Sequence, residues 1–213
     1  MTAKDVLAAL KKAGKPATAA IYKRHGAGDN VFGALTSEIE KLRKKIKTDH
    51  ALALELWASG NEEARALACQ IADPATADVR AWAACSRFVS GYLAALAAKT
   101  RDVDALMAAW AASRDEHARA MGYTTLAVRL KNGDSLDAGP WIARIEGEIH
   151  ASPNAARHAM NNALIAIGVF VPELRAKAVA AAKRVGKVDV DHGETSCETP
   201  DAVAYIAKAA KRR

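Results

Sequence analysis

The chain has 213 residues, of which 51% are hydrophobic and only 5% aromatic, and much of the apolar content is alanine. Lysine and arginine total 31 against 24 acidic residues, a formal net charge of +7 that admits a polyanionic partner without identifying one. Because the three cysteines form no CxxC pair and no apolar stretch reaches the roughly 18 residues that span a bilayer, we expect a cytoplasmic protein with no membrane or secreted character.

Apolar residues recur three and four positions apart along the whole chain, which indicates amphipathic helices, and no long apolar-polar alternation indicates a strand. In the first half, Ser37 and Glu40 match a capping box, and Asp49 and Asn61 match helix N-caps. A glycine-rich loop is predicted at 26–33. The predicted helices are 2–13, 16–25, 37–47, one after residue 49 that ends at 59–60, and 62–72.

The second half continues this pattern, with a polar loop at 186–199 before a short last helix that Pro200 begins. Many short helices joined by short turns are typical of an α-solenoid, in which each helix pair buries its apolar face against its neighbours. We therefore predict a single all-α domain over 1–213. A compact orthogonal bundle is the alternative, since self-similarity at a fixed period is weak. The remaining predicted helices are 77–85, 87–99, 102–112, 115–131, 138–150, 153–168 and 172–185.

Three stretches, which together span nearly the whole chain, carry a family resemblance. They are YKRHG at 22–26 with FG at 32–33, LRKKIK at 42–47, LELW at 54–57 and NEEARALA at 61–68; WIARIEGEIH at 141–150 with AMNNALIAIG at 159–168; and VDVDHGETSCETPDA at 188–202. The chain resembles a divergent branch of the DNA alkylation repair family, the AlkD-like alkylpurine DNA glycosylases. This resemblance implies a HEAT-like α-solenoid of antiparallel helix pairs whose basic concave face grips double-stranded DNA.

Glycosylases of this family are thought to excise cationic alkylated purines with two aromatic residues and one carboxylate, without a metal or cofactor. A cationic base is already a good leaving group, so the carboxylate stabilises the cationic sugar that develops as the bond breaks. In this sequence the first aromatic position falls at Arg87, the carboxylate at Gly91 and the second aromatic near Asn162. The resemblance is therefore to the scaffold more than to the active site, and the catalytic residues are left unassigned.

A shift of the alignment by one residue brings Phe88 or Tyr92 to the aromatic position. No shift brings an acidic residue into this helix, because none lies between Asp78 and Asp102. Arg87 would keep an affinity for phosphate, so DNA binding can persist where the catalytic carboxylate is missing.

Basic residues in two regions are the candidates for DNA contact. The helix through residue 47 places its basic side chains opposite Leu35, Ile39, Leu42 and Ile46, and a solvated helix face is the equal alternative. The tail at 211–213 is more simply an aid to solubility or encounter. A second basic region comprises Arg157, His158, Arg175, Lys177, Lys183, Arg184 and Lys187. The candidate DNA-binding residues are Lys41, Lys44, Lys45, Lys47, Arg87, Arg157 and His158.

Several other polar residues have a structural explanation. His25, His158, His192 and Cys197 include one histidine and one cysteine five residues apart but no paired metal motif, so we expect a hydrogen-bonded loop rather than a metal site. The adjacent amides of Asn161 and its neighbour lie in an apolar helix, which favours an interhelical hydrogen bond over base readout. The four tryptophans are expected in the core.

Three functional hypotheses follow. The first is a monomeric DNA-binding protein of the alkylation repair family that excises or recognises alkylated purines, with enzymatic activity left open because the catalytic aspartate is missing. The second is a non-catalytic helical scaffold that binds a protein partner. The third is an altered enzyme that uses Glu38, Asp191 or Glu194 in place of the missing carboxylate.

Overall fold

The computed structural model describes residues 1–83 and 85–211. All regular structure in these ranges is helical, with twelve α-helices and two short 3-10 turns, which confirms the predicted all-α class. Ala84, and Arg212 and Arg213 of the predicted basic tail, lie outside the described residues. No helix in the described ranges combines the length and apolar character needed to cross a bilayer.

The described residues form two compact units. The first unit is Met1–Val103 with Gly193–Thr195. The second unit is Asp104–His192 with the described residues from Ser196 onward. The interpretation of 1–213 as one domain stays a prediction.

Six α-helices form the first unit, and side chains cap several of them. Asp49 accepts a hydrogen bond from the backbone N–H of Leu52 at 3.0 Å, and Asn61 accepts one from Ala64 at 3.0 Å. Both predicted N-caps are therefore confirmed. The helices are α1 (Ala3–Ala13), α2 (Pro16–Arg24), α3 (Thr36–Ile46), α4 (His50–Ala58), α5 (Glu62–Ile71) and α6 (Arg87–Ala97).

Helix α5 is the central element of the first unit, because it packs against α3, α4 and α6. Its Ala64, Leu67, Ala68 and Ile71 side chains are completely buried. Alanine side chains let neighbouring helices approach closely, and the larger apolar side chains fill the space between them. Helix α5 therefore fixes the positions of α3 and α6, which carry most of the candidate residues in this unit.

The predicted helix at 77–85 is wrong, because the described residues from 74 to 83 form turns. The carboxylates of Asp73 and Asp78 accept hydrogen bonds from backbone N–H groups two and three residues further on, at 3.0 and 3.2 Å. Such short-range side-chain acceptors satisfy donors that a helix would otherwise pair with its own carbonyl groups.

Two predicted helix starts are also wrong. Helix α3 begins after Leu35 without a side-chain cap, so Ser37 and Glu40 form no capping box. The Glu40 carboxylate is held instead by an arginine of the same helix. The last helix begins after Asp201 rather than at Pro200, because the aspartate carboxylate accepts a backbone N–H three residues on at 2.7 Å and proline has no side-chain acceptor.

The second unit contains the other six α-helices. Among the described residues, its two 17-residue helices, α8 and α10, form the most extensive packed pair. The helices are α7 (Val103–Ala111), α8 (Glu116–Asn132), α9 (Gly139–Glu148), α10 (Asn154–Phe170), α11 (Arg175–Val185) and α12 (Ala202–Ala210).

The last helix, α12, docks on α10 through a glycine. A Cβ at Gly168 would lie 2.5 Å from Cδ1 and 3.1 Å from Cγ2 of Ile206, so the absence of a side chain makes room for the buried isoleucine. Asn161 of the same helix is 1% exposed and donates a hydrogen bond to the carbonyl oxygen of Pro200 at 3.0 Å. The buried amide therefore has a structural hydrogen bond, but it is made to the segment that precedes α12 and not to a residue of another helix.

Candidate nucleic-acid interface

Helix α6 carries the two positions to which the sequence resemblance assigns the family's first aromatic residue and its carboxylate. Its Val89 and Leu93 side chains are completely buried, and Leu96 is nearly so. Because residues four apart lie on the same side of a helix, the side opposite these residues is exposed as a continuous row. This α6 stripe comprises Arg87, Gly91, Ala95 and, just beyond the helix, Lys99.

Arg87 and Gly91 are both accessible at this stripe. The stem of Arg87 lies against the loop after α2, since a Cβ on Gly26 would be 2.9 Å from the Arg87 Cβ. Gly26 also has φ +87°, which a glycine adopts without strain. The Arg87 guanidinium has no ion pair among the described residues. A Cβ at Gly91 would meet no atom within 4 Å, so this position has space for a side chain.

A cleft of about 290 Å³ opens beside Gly91, between α3, α5 and α6. The polar side chains that line this α6 cleft are Arg43, Gln70, Tyr92 and Lys99, and no acidic residue is among its lining. Two of these side chains are cationic. The charge of the α6 cleft is thus opposite to that needed to stabilise a cationic sugar.

An ion pair fixes Arg43 at the edge of the α6 cleft. Its Nε donates to Glu40 Oε2 at 2.7 Å, and its Nη2 donates to Glu40 Oε1 at 2.6 Å. This hydrogen bonding lowers the pKa of Glu40. Burial, together with the neighbouring Tyr22 and Glu40, raises the pKa of Tyr92, so its hydroxyl remains protonated at neutral pH.

The two aromatic residues that a shifted alignment would place at the family position belong to an aromatic row. The rings of Tyr22 and Phe88 lie 4.7 Å apart between centroids, and those of Phe88 and Tyr92 lie 6.2 Å apart. Phe88 and Tyr92 are half-buried, and only Tyr92 lines the α6 cleft. The row therefore gives the cleft one aromatic wall.

Helix α3 carries the first group of predicted DNA-binding lysines. Lys41 pairs with Glu38 at 2.7 Å, and Lys44 lies 3.9 Å from Glu40. The other two lysines, Lys45 and Lys47, are exposed and have no ion pair among the described residues.

The buried side of α3 differs in part from the prediction. Ile39 is buried as expected, whereas Leu35 is 47% exposed because it precedes the helix as its N-cap. At the other end Lys47 has φ +64°, a conformation that favours glycine. The basic side chains of α3 therefore follow the predicted polar side of the helix, but its ends are set by backbone geometry.

Two buried glutamates at the start of α5, which sequence reasoning missed, hold the neighbouring loop and α6 in place. The fully buried Glu63 accepts hydrogen bonds from the backbone N–H groups of residues 32–34, at 3.1, 2.6 and 3.0 Å. Glu62 accepts a hydrogen bond from the hydroxyl of Ser86, the N-cap of α6. The only local signal was an acidic pair in the first turn of a helix, directly after the predicted N-cap Asn61.

In the second unit, polar side chains of α10 hold the segment that leads to α12. The Arg157 guanidinium donates to the carbonyl oxygens of Asp189 at 2.8 Å and Ser152 at 3.0 Å. The Asn154 amide exchanges two hydrogen bonds of 2.8 Å with the backbone of Asp191. The predicted DNA contact of Arg157 stays a prediction beside this structural role.

His158 and Asn162 lie one turn apart on α10 and contact each other. The Asn162 amide is 3.0 Å from Nε2 of His158, and the His158 ring meets the His192 ring edge to face at 5.4 Å. Nε2 of His192 is 3.0 Å from the Thr199 hydroxyl. These contacts are those of a hydrogen-bonded loop, and no group of three or more potential metal ligands occurs among the described residues.

Most of the second predicted basic region has structural partners. Arg175 donates to the carbonyl oxygen of Gly168 at 2.9 Å. Arg184 forms a bidentate pair with Glu146 at 2.5 and 3.0 Å. Lys187 pairs with Asp189 at 2.8 Å, whereas Lys177 and Lys183 are exposed without an ion pair in the described ranges.

The buried thiols of the first unit are not activated nucleophiles. Burial raises the pKa of Cys85 to about 12 and raises that of Cys69 well above its usual value. Both therefore remain protonated at neutral pH, and the thiolate is the nucleophilic form.

The chain matches known proteins over nearly its whole length. A family described as DNA alkylation repair enzyme matches residues 6–206. Uncharacterized proteins of Listeria innocua and Listeria monocytogenes are 30% and 29% identical, each match covering 92% of this chain and 92% of the relative.

One solved structure has a similar fold. It is described as a new family of proteins related to the HEAT-like repeat DNA glycosylases with affinity for branched DNA structures, and it covers 100% of this chain and 95% of its own, with a TM-score of 0.90 and 30% identity. This match confirms the predicted HEAT-like repeat fold.

Proposed function

This chain belongs to the DNA alkylation repair enzyme family, and from that premise we propose that it is a DNA-binding HEAT-like repeat protein that recognises DNA without excising a base. Its ligand is double-stranded DNA, including branched structures. Recognition proceeds through cationic side chains that contact phosphates, which position a protein on DNA without reading its sequence.

The observation that carries this proposal is the charge of the α6 stripe and the α6 cleft. Arg87 stands where the family's first aromatic residue falls, and Gly91 stands where its carboxylate falls. The lining of the cleft adds Arg43 and Lys99 and contains no acid. Such a surface attracts a polyanion, but it would oppose the positive charge that develops on the sugar during base excision.

The similar solved structure supports the choice of branched DNA as a ligand. That protein is described as having affinity for branched DNA structures, and the match covers 100% of this chain and 95% of that chain at 30% identity. Junctions bring several phosphate backbones close together, so a protein that binds through phosphates gains more cationic contacts there than on a linear duplex.

Fluorescence anisotropy with a labelled linear duplex and a labelled four-way junction, each titrated over a series of salt concentrations, tests this function. We expect binding to both DNAs, tighter for the junction, with log K falling linearly in log salt and a slope of about −3 to −5 for a few phosphate contacts. Absence of salt-dependent binding at low ionic strength would contradict the proposal. A stoichiometric protein partner recovered under the same conditions would then favour the scaffold hypothesis.

Substitution of Arg87 tests whether this residue contacts DNA. Arg87→Ala should weaken binding to all DNA sequences by a similar factor, because a phosphate contact carries no base information. Lys4→Ala removes an exposed lysine of α1 in the same unit and serves as the matched control. Equal effects of the two substitutions would show that only net charge matters and that Arg87 is no binding residue.

A further inference from the structure

We propose that the α6 cleft binds one backbone phosphate of DNA, in the place where the family's glycosylases have a carboxylate. This inference rests on the proposed DNA-binding function and names the group that the cleft takes. Lys99 supplies net positive charge, and Arg43, Gln70 and Tyr92 supply hydrogen-bond donors.

Three side chains around the cleft have hydrogen-bond donors that a ligand can use. Arg43 uses Nε and Nη2 to hold Glu40, which leaves Nη1 for a ligand. Lys99 is exposed and has no ion pair among the described residues. Gln70 donates one amide hydrogen to the carbonyl oxygen of Ala66 at 3.1 Å, and its second amide hydrogen is available.

The balance of charged side chains around the α6 cleft favours an anionic ligand. Within the first unit, Glu40 is the acidic side chain that neighbours the cleft, and Arg43 already neutralises it through two hydrogen bonds. The ammonium group of Lys99 is then a net positive charge at the cleft, together with Lys44 near Glu40. A singly charged phosphodiester complements this balance, and a cationic base does not.

The size and openness of the cleft suit a phosphate group better than a whole nucleoside. The cleft has a volume of about 290 Å³, at the small end of the range that pockets for whole small molecules occupy, and it opens to the surface at the exposed Gly91 and Lys99. A flipped nucleoside would need an enclosed pocket, whereas a phosphate needs only part of an open cleft. Gly91 adds room at this point, because a Cβ there would meet nothing within 4 Å.

Two isosteric substitutions at Gly91 test the proposal by charge alone. Gly91→Asp and Gly91→Asn add side chains of the same size and similar helix propensity to an open position, so both variants should fold. If a phosphate occupies the cleft, Gly91→Asp should bind the four-way junction about tenfold more weakly than Gly91→Asn at low salt, because two like charges then lie close together. Equal affinity of the two variants would overturn the proposal.

A second measurement tests whether Lys99 makes one phosphate contact. Lys99→Ala should reduce the slope of log K against log salt by about 0.9, as expected for the loss of one phosphate contact. Lys4→Ala, the matched control, should leave the slope unchanged, and equal slopes for the two variants would count against the cleft. If the unmodified protein binds neither the duplex nor the junction, the proposed function itself fails. If it binds both and only the Gly91 and Lys99 arms fail, DNA binding stands and the phosphate site is wrong.

Discussion

Burial of a carboxyl group lowers the stability of a protein unless its oxygens accept hydrogen bonds. The carboxylate oxygens of Glu63 accept hydrogen bonds from three backbone N–H groups. The three N–H groups belong to consecutive residues, 32–34, so the glutamate fixes the backbone of the loop between α2 and α3. Its neighbour Glu62 accepts from Ser86 at the start of α6. Two adjacent side chains thus link the loop beside Arg87 to the helix that carries it.

Glu63→Gln should destabilise the protein by about 2 kcal/mol, because the amide has one acceptor oxygen for three buried donors and its own NH2 group faces a backbone N–H. The free energy of unfolding from urea denaturation measures the effect. Glu55→Gln in α4 is the control, since Glu55 is exposed and a surface substitution should change stability by less than about 0.5 kcal/mol. Equal stability of the two variants would show that the loop does not depend on Glu63.

At the scale of elements, α10 is the helix on which the end of the second unit depends. Arg157 and Asn154 hold the backbone at Asp189 and Asp191, and Asn161 holds Pro200 just before α12. These three side chains recur at three- and four-residue spacing, so one side of α10 holds the backbone at the two ends of the 189–200 segment. The close approach at Gly168 then seats α12.

Gly168→Ala should destabilise the docking of α12, because the added methyl group would overlap the buried Ile206 side chain. We expect a loss of about 1–3 kcal/mol in the free energy of unfolding, with faster amide hydrogen exchange in α12. Gly147→Ala in α9 is the matched control, since its Cβ would meet nothing within 4 Å and alanine favours a helix by about 0.5 kcal/mol. The same response from both variants would exclude a packing role for Gly168.

The elements also show where local sequence signals are sufficient. The caps at Asp49 and Asn61 are correct because each aspartate or asparagine satisfies a backbone donor three residues away. The helix at 77–85 is absent because Asp73 and Asp78 make the same kind of contact within turns. The same kind of side-chain acceptor therefore stands at a helix start in one place and within a turn in the other, so the acceptor alone does not predict a helix.

For the whole molecule, family membership suggests base excision, whereas the positive charge of the α6 cleft argues against it. The family is described as DNA alkylation repair enzyme, and base excision is the activity that the sequence resemblance implies. In this chain the sequence resemblance assigns the carboxylate position to Gly91, and the lining of the adjoining cleft contains no acid. The neighbouring Glu40 carboxylate is already paired with Arg43, so the cleft would give the transition state of base excision little of the electrostatic stabilisation that a carboxylate supplies.

A duplex that contains 7-methylguanine should therefore release no more free base with the protein than without it, at a protein concentration that binds the same duplex fully in the anisotropy assay. Chromatographic quantification of free base gives the measurement, and heating the duplex gives the positive control. Release above the protein-free rate would contradict the prediction. If substitution of Glu38, Asp191 or Glu194 then abolished the release, that residue would act in place of the missing carboxylate.

The sequence by itself determined the all-α class and most helix limits, because helical period, caps and glycine or proline stops are local properties. Arg87 and Gly91 were placed on the same side of one helix by their spacing alone.

Only the tertiary structure decided that Arg43 and Gln70, from other helices, share a cleft with Gly91 and Lys99. It also decided that Arg157 holds a loop and that Glu63 is buried beneath another. These contacts join residues about thirty positions apart, and no local pattern specifies which distant backbone group a side chain will meet.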